Sequence, residues 1–320
     1  MARVAIVIVT YNSAAEIAGC LASLRHQPDT EVVVVDNASS DDTAAIVRSE
    51  GIRLIASSTN LGFAGGVNLG VRETSAPLIL LLNPDAHLLT GIGALTESMQ
   101  APTGYAGGLL LGDDGLPQTG FMVRRLPTPT ALAFEVLGLN RLFPGNTVNR
   151  NYRCEGIDPM AHGFAEQPAG AFLMFTRQAW LEVGGLDESF MPVWFEDVDF
   201  CARLRLAGYR GEYVPAARAR HTGGHSVSTI SVEIRHKYWY GNLLEYAAKH
   251  FGIIGFRAVA AAVALGALLR AVTGWPLHGS KVLRIYGEVF QLAWFRLMKS
   301  RTQVSTVAEQ KCEKSGRRDK

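Results

Sequence analysis

The sequence offers little of what defines most small-protein classes. Its four cysteines, Cys20, Cys154, Cys201 and Cys312, form no CxxC pair and no zinc-like spacing. That excludes a disulfide framework or a cysteine-zinc site and suits free thiols in a reducing compartment. Neither sign of charge dominates: 31 Lys and Arg face 29 Asp and Glu, so bulk electrostatics give a nucleic-acid partner no support. The apolar stretch 251–274 holds only 12 uncharged residues between Arg257 and Arg270. At about 1.5 Å per residue these cover roughly 18 Å, short of the ~30 Å hydrocarbon layer. Near the start, the run "VAIVIV" (4–9) is too short for a signal-peptide core and no cleavage site follows it, so the chain is expected to stay in the cytoplasm. The turn after that run, "TYNSAAEI", contains no glycine, which removes the dinucleotide fingerprint. No internal repeat is visible.

What the sequence does contain is alternation. Short apolar runs at 4–9, 31–36, 52–57 and 78–83 are separated by segments of helical length at 14–25, 41–49 and 63–74. Continuous rather than alternating hydrophobicity marks strands covered on both faces, and the alternation predicts an α/β fold with a Rossmann-like, mostly parallel sheet. In such sheets ligands bind beyond the carboxyl ends of the strands. Those ends carry Thr10, Tyr11 and Asn12, then Asp36 and Asn37, then Asn60, then Asn83 and Asp85. Any one polar residue at a strand end is an ordinary terminator; several carboxylates and amides converging on one edge point to a site.

The region from about 105 to 220 is less regular. "RRLPTPT" and "LFPGNTVNRNY" read as loops, "GAFLMF" as a strand, "RQAWLEVGG" as a short helix, and "EDVDFCARLRLAG" as a helix stopped by Gly208. From about 232 the chain reads as helical. Residues 281–300 place Val282, Ile285, Tyr286, Val289, Phe290, Ala293 and Leu297 on one helical face, with Lys281, Arg284, Arg296 and Lys299 against a lone Glu288. A basic helix with an aromatic-rich apolar face suits an anionic membrane surface; packing on its own domain is the competing reading. The expected organisation is a catalytic unit over 1–230 (halves 1–104 and 105–230), a membrane-associating helical extension over 231–300, and a disordered tail over 301–320.

The blocks "VIVTYNS", "VVVVDNASSDDT", "NLGFAGGVNLG", "LLLNPDAHL", "GGLDESF", "WFEDVDFCARL" and "HTGGHS" occur in this order between residues 3 and about 225. In order and approximate spacing they resemble the inverting family 2 glycosyltransferases, which have the GT-A fold, and most closely the bacterial rhamnosyltransferase-like branch. The resemblance implies transfer of a sugar, L-rhamnose from dTDP-L-rhamnose, to a saccharide hydroxyl on a polyprenyl diphosphate in cell-surface polysaccharide synthesis. The enzyme would sit peripherally on the cytoplasmic face of the membrane. Rival readings are another donor, UDP-galactofuranose or a UDP-hexosamine, and a non-catalytic nucleotide-sugar-binding scaffold.

The resemblance also implies roles. Asp36 would accept the N3 proton of uracil or thymine, Asp41 being the alternative helix-terminal residue. Thr10 and Tyr11 would line the nucleoside pocket, with Asn60, Asn68 and Asn83 reaching the nucleotide. Asp85 matches the metal-binding acid of the family's DxD motif, here Asn83-Pro84-Asp85, and His221 a position that often supplies a histidine ligand; the cofactor implied is Mg²⁺ or Mn²⁺. Asp197 matches the general base, and its place at a helix N-terminus predicts a lowered pKa. Trp194, Phe195 and Glu196 stand beside it as acceptor or sugar contacts, with core packing or helix capping as the alternative.

Overall fold

The computed structural model describes residues 3–223 and 231–298. The tail after Ser300, the end of "HTGGHS" and Lys299 lie outside the described residues.

The strands are β1 (Val4–Thr10), β2 (Thr30–Asp36), β3 (Arg53–Ala56), β4 (Leu78–Leu82), β5 (Ala86–Leu88), β6 (Thr103–Leu111), β7 (Val123–Arg124), β8 (Gly163–Phe164), β9 (Gln167–Pro168), β10 (Phe172–Thr176) and β11 (Arg210–His221). Nine form one sheet in the order β3-β2-β1-β4-β10-β6-β11-β5, with β8 on β11, and β7 pairs with β9 separately. The β1, β2, β3 and β4 pairings are parallel, β10 runs against both β4 and β6, and β6 and β11 are parallel to each other. The sheet is therefore mixed but mostly parallel, as the hydrophobic runs predict.

Both faces of β1 are buried. Val4, Ile6 and Ile8 enter one core cluster, while Ala5, Val7 and Val9 enter the other, the period-2 split of a strand covered on both sides. The helix Gly62–Arg72 lies directly on that second face. A Cβ at Gly66 or Gly70 would fall 2.7 or 2.5 Å from a Cγ1 of Val9 or Val7. The glycines of "NLGFAGGVNLG" at these two positions thus serve helix-strand contact rather than approach to a ligand.

The middle of the chain is more ordered than its composition suggests. "RRLPTPT" leads into the helix Pro129–Leu137, capped by Thr128 Oγ1 accepting from the Ala131 N–H, and "LFPGNTVNRNY" contains the helix Thr147–Tyr152, capped by Asn146. Strand β11 runs 12 residues through Pro215, where the pairing with β6 shifts register between Val214 and Arg218, the bulge that a residue without an N–H requires.

Three helices, Val232–His250, Ile253–His278 and Ser280–Met298, follow. The apolar face of the last faces inward: Ile285, Val289 and Ala293 are buried and Tyr286, Phe290 and Leu297 pack on the same core. Lys281 and Arg296 pair with Glu233 and Glu245 of the first of these helices. The face that the sequence assigned to a membrane is largely this intramolecular seam, because a helix hairpin offers the same amphipathic pattern an internal partner. The helix Ile253–His278 is 26 residues long, and its segment Ile253–Pro276, contrary to the short span expected from the interval between Arg257 and Arg270, is long and apolar enough to cross a membrane by length and composition. Its inner face is docked on the domain, where Arg270 donates to the carbonyl oxygen of Val136.

Candidate active site

The carboxyl ends of β1, β2 and β4, the β10 approach and the helix Glu196–Leu206 enclose a cleft of about 940 Å³. Thr10, Tyr11, Asn60, Asn83, Asp85, Trp194, Phe195, Glu196, Asp197 and His221 all line it. Ser231, Ile234, Tyr238 and Trp239 line it too, so the first C-terminal helix belongs to the cleft and not only to an extension beyond residue 230.

Two predicted residues lie elsewhere. Asn68 is buried and its amide is fully used: Nδ2 donates to Leu186 O and Glu188 Oε1, while Oδ1 accepts from Trp180 Nε1 and the Leu186 N–H. It ties the helix Gly62–Arg72 to the "GGLDESF" turn and has nothing left for a nucleotide. Asp36 lies behind the cleft wall, 3% exposed. Its carboxylate accepts from Thr10 Oγ1 at 2.9 Å, Ser39 Oγ at 2.5 Å and the Ser39 N–H at 3.1 Å, so it braces the strand-end edge of the cleft. Asp36 thereby also serves the following turn through Ser39, and Asp41 serves it further on, accepting from Thr43 and from the Ala14 N–H. Asn60 is exposed and its Oδ1 accepts from the Gly62 N–H.

The structure adds residues that the sequence did not single out as ligands. Asn37 lines the cleft, donates through Nδ2 to Gly62 O, and has no partner for its buried Oδ1 among the described residues, an unspent acceptor at the strand-end edge of the cleft. Arg124 also lines the cleft, packed over the rings of Phe121 and Tyr152 at 5.8 and 5.9 Å. Only three-dimensional proximity marks it, since a lone arginine in "MVRRL" carries no motif.

Asp85 and His221 meet across the β5–β11 pairing, where Ala86 is registered with His221. The His221 Nε2 stands 3.5 Å from Asp85 Oδ1, and both side chains are buried. Gln118 fixes the ring: its Nε2 donates to the His221 carbonyl, which leaves its Oε1 to receive Nδ1–H at 3.0 Å. Nε2 is thereby the nitrogen presented to Asp85. Burial alone would raise the Asp85 pKa, but the hydrogen bond and charge of His221 outweigh it and hold the carboxyl below its ordinary value. That interaction uses a proton on Nε2; with Nε2 unprotonated instead, an oxygen and an imidazole nitrogen placed this way would fit a hard divalent cation completed by phosphate oxygens and water. Among the described residues no group of three or more His, Cys, Asp or Glu could hold a metal unaided.

Asp197 sits in the first turn of the helix Glu196–Leu206. Its Oδ2 accepts from the Gly170 N–H at 3.0 Å and Gln167 Nε2 at 3.3 Å, and its Oδ1 from the Val198 N–H at 2.8 Å. Gly170 permits this approach, since a Cβ there would fall 3.1 Å from that of Asp197. The helix N-terminus was expected to lower this pKa. Instead burial pushes it up, and the Gly170 and Val198 amides and Arg124 recover only part. Desolvation wins because the carboxylate lies in an apolar wall rather than at a wet helix end. Glu196, 3% exposed, goes further: burial and then the charge of Asp197 push it well above the ordinary value, and its Oε2 has no partner among the described residues. Asp199, two residues on, is buried but paired with Arg203, Lys249 and His250 at 2.7, 2.7 and 2.8 Å. Burial would raise it, yet the His250 hydrogen bond and the Arg203 and Lys249 charges bring it down to about 2.

The residues just before the helix are strained. Trp194 and Phe195 have φ of 82° and 73°, the left-handed region that costs a non-glycine residue about 1–3 kcal/mol and clusters at functional sites. Phe195 is buried against Trp239 and Tyr246, with ring centroids 6.2 and 5.7 Å away, so it is core, whereas the half-buried Trp194 faces the cleft.

A cleft at the strand ends, with a carboxylate-imidazole pair on one side and a desolvated carboxylate on the other, is built for displacement of a phosphorylated leaving group by a deprotonated hydroxyl. Comparison with known proteins agrees. The model of "Glycosyl transferase family 2" matches residues 5–138 and that of "Glycosyl transferase family group 2" residues 146–298. The N-acetylglucosaminyl-diphospho-decaprenol L-rhamnosyltransferase of Mycobacterium tuberculosis (strain CDC 1551 / Oshkosh) is 28% identical over 304 residues, 87% of this chain and 90% of that protein. Rhamnosyltransferase WbbL of Escherichia coli (strain K12) is 28% identical over 51% of this chain and 62% of its own length. Among solved structures, the mannosyltransferase PcManGT from Pyrobaculum calidifontis, in complex with GDP-Man and Mn²⁺, superposes with a TM-score of 0.53 at 17% identity, covering 92% of this chain and 87% of that one. Staphylococcus aureus TarS 1–349 in complex with UDP-GlcNAc gives 0.52 at 16%, covering 92% and 82%. Motif order, sheet topology and these likenesses converge: the chain belongs to glycosyltransferase family 2, in its rhamnosyltransferase-like branch, and is an enzyme of that class.

Proposed function

We propose that this glycosyltransferase moves L-rhamnose from dTDP-L-rhamnose to a hydroxyl of a saccharide carried on a polyprenyl diphosphate, by a single displacement with inversion. The observation that carries the chemistry is the placement of Asp197, its pKa raised by burial, in the same cleft as the Asp85–His221 pair. The choice of donor and acceptor is supported by the name of the mycobacterial relative.

In this reading the nucleoside lies against Tyr11 and Thr10, and Asn37 Oδ1 offers an acceptor for the imide N–H of the base. Asp197 takes the acceptor hydroxyl's proton as that oxygen bonds to the anomeric carbon. The bond from that carbon to the nucleoside diphosphate breaks on the opposite face. Asp85 and His221 Nε2 would hold a divalent cation, Mg²⁺ or Mn²⁺, which when bound neutralises the departing diphosphate. With Asn83 in place of an acid, the chain supplies a single carboxylate there, and Arg124 is a second cation in reach of the cleft. Trp194, Tyr238 and Trp239 keep water from the reacting centre.

Membrane placement follows from a different face than the sequence suggested. Leu265, Leu268, Leu269, Val272 and Trp275 are 47 to 68% exposed and recur at helical spacing on the outer side of Ile253–His278. A contiguous apolar stripe of this kind is what a peripheral enzyme presents to a lipid interface, and it would bring the cleft to a lipid-linked acceptor at the cytoplasmic leaflet. Leu268→Glu with Val272→Glu should abolish flotation with anionic vesicles while leaving donor binding intact; undiminished flotation would remove this part of the proposal.

The test of the whole is a thermal-shift and transfer screen of dTDP-, UDP- and GDP-sugars with and without Mn²⁺, using a GlcNAc-diphosphopolyprenyl acceptor. dTDP-L-rhamnose at 100 times its Kd should stabilise the fold by about 2.7 kcal/mol and be turned over. Turnover of UDP-galactofuranose or a UDP-hexosamine instead would replace the sugar. Stabilisation without turnover would favour a binding scaffold, and no stabilisation by any sugar nucleotide would sink the reading.

A further inference from the structure

The segment Met191–Trp194 enters the helix that carries Asp197 through two successive left-handed residues, Trp194 and Phe195, and Asp197 is the second residue after them. A backbone in that conformation persists only where its surroundings over-determine it. Those surroundings are specific. The Nδ2 of Asn242 donates to Met191 O at 3.3 Å, Val193 O at 2.9 Å and Trp194 O at 3.2 Å. The remaining carbonyl of the four, Pro192 O, accepts the Phe63 N–H at 2.7 Å from the opposite side. Three carbonyls converging on one nitrogen admit only the amide NH₂ there, so the orientation of Asn242 is fixed by its partners.

Asn242 is 6% exposed and is not among the residues lining the cleft. It comes from the first C-terminal helix, Val232–His250, far from the base in sequence. One turn further along the same face, Tyr246 packs on the ring of Phe195, and a further turn on, Lys249 and His250 hold Asp199. Residues spaced by three, four, seven and eight share one side of a helix. This side grips the helix of Asp197 before and after that residue.

We infer that Asn242 is a positioning residue of the transfer reaction: it clamps the left-handed turn at Trp194–Phe195 and so sets where Asp197 stands in the cleft. Asn242 does not itself line the cleft, whereas Met191, Val193 and Trp194, whose carbonyls it holds, do. Its contribution therefore falls on the placement of the base and not on donor affinity, as small misplacements of a reacting group cost rate more than binding. The inference rests on the proposed role of Asp197, and its test has one arm that does not.

Asn242→Asp and Asn242→Ser are compared with the full-length wild type by hydrogen exchange and by kinetics. Asp replaces the donor with a carboxylate facing three carbonyls, while Ser keeps a hydroxyl donor and is the milder change if Asp fails to fold. Exchange in peptides covering 191–199 should accelerate at least tenfold, with peptides from β1, β2 and β4 unchanged. In the transfer assay kcat should fall at least tenfold in the folded variants, with the donor KM within twofold. Unchanged exchange over 191–199, or acceleration spread evenly over the domain, overturns the clamp. A donor KM that rises as much as kcat falls overturns the positioning role. Should the wild type turn over no sugar nucleotide, the functional reading fails, and the exchange arm still decides whether Asn242 holds the turn.

Discussion

At the proposed donor edge Asp85 is buried and yet held below its ordinary pKa by His221, whereas at the proposed acceptor side the half-buried Asp197 and the buried Glu196 are pushed up. Burial acts in the same direction on all three. What differs is the partner: an imidazole 3.5 Å away in one case, backbone amides for Asp197, and for Glu196 Oε2 nothing among the described residues. The outcome matches the two tasks proposed for these residues. A ligand for a cation must stay ionised, and a general base must hold a proton readily near neutrality. Asp199 is the internal control, since it shares the helix of Asp197 and is brought down to about 2 by cationic partners.

The largest effect that tests this contrast is Asp197→Asn. Removing a positioned base costs 10²–10⁴-fold, so kcat should fall about 10³-fold while calorimetric donor affinity stays within twofold. The acid limb of kcat/KM in the wild type should lie above the ordinary carboxylate range, activity rising with pH as Asp197 loses its proton. An acid limb at or below pH 4 would show that its amide partners dominate after all.

Asp199→Asn comes next. It leaves Arg203 and Lys249 facing an uncharged amide in a buried site, a loss of about 3 kcal/mol or more. The sign with pH follows from the depressed folded pKa. The native state holds this carboxylate ionised, so its contribution is present above about pH 4 and is lost as pH falls towards 2. The deficit of the variant, measured by urea unfolding, should therefore shrink by about 2 kcal/mol over that interval. A deficit independent of pH would mean that packing, not charge, is what Asn disturbs.

The unequal legibility of the two sides has a physical basis. The donor side is written locally: continuous aliphatic runs announce β1, β2 and β4, and the polar residue that ends each strand is delivered to the edge by sheet geometry alone. Thr10, Tyr11 and Asp85 could be placed from that pattern. Asp36 could be placed too, but not the three hydrogen bonds that turn it into a brace. Asn68 misled because a buried amide and a ligand-binding amide look alike in sequence; its four partners come from residues more than 100 positions away. The acceptor side depends on such distant contacts throughout. The sign of the Asp197 shift needed the close approach of Gln167 and Gly170, and Arg124, Gln118 and Asn242 act through partners that no spacing encodes. The Thr128-Pro129 and Asn146-Thr147 helix starts were readable by capping chemistry, and the surrounding Pro and Gly masked them.

Asp85→Asn probes the other side. It keeps the shape but removes the single carboxylate beside His221, so kcat/KM should fall about 10²-fold and Mn²⁺ should no longer tighten nucleotide binding in calorimetry. Equal binding with and without Mn²⁺ already in the wild type would instead assign charge neutralisation to Arg124.

The smallest effect should come from Glu196→Gln. If desolvation keeps Glu196 protonated at neutral pH, the amide is a near replica of the acid it replaces, and kcat and KM should change by less than threefold. Stability should move the other way from Asp199. An acid whose folded pKa is raised binds a proton in the native state that the unfolded chain has released, so its contribution falls as pH rises from about 4.5 towards the folded value. Gln abolishes that slope, and the variant should be more stable than the wild type at pH 7 and nearly equal at pH 4. A large loss of activity with unchanged stability would show that Glu196 works as an anion, and that the contrast between the two sides of the cleft ends one residue short of the base.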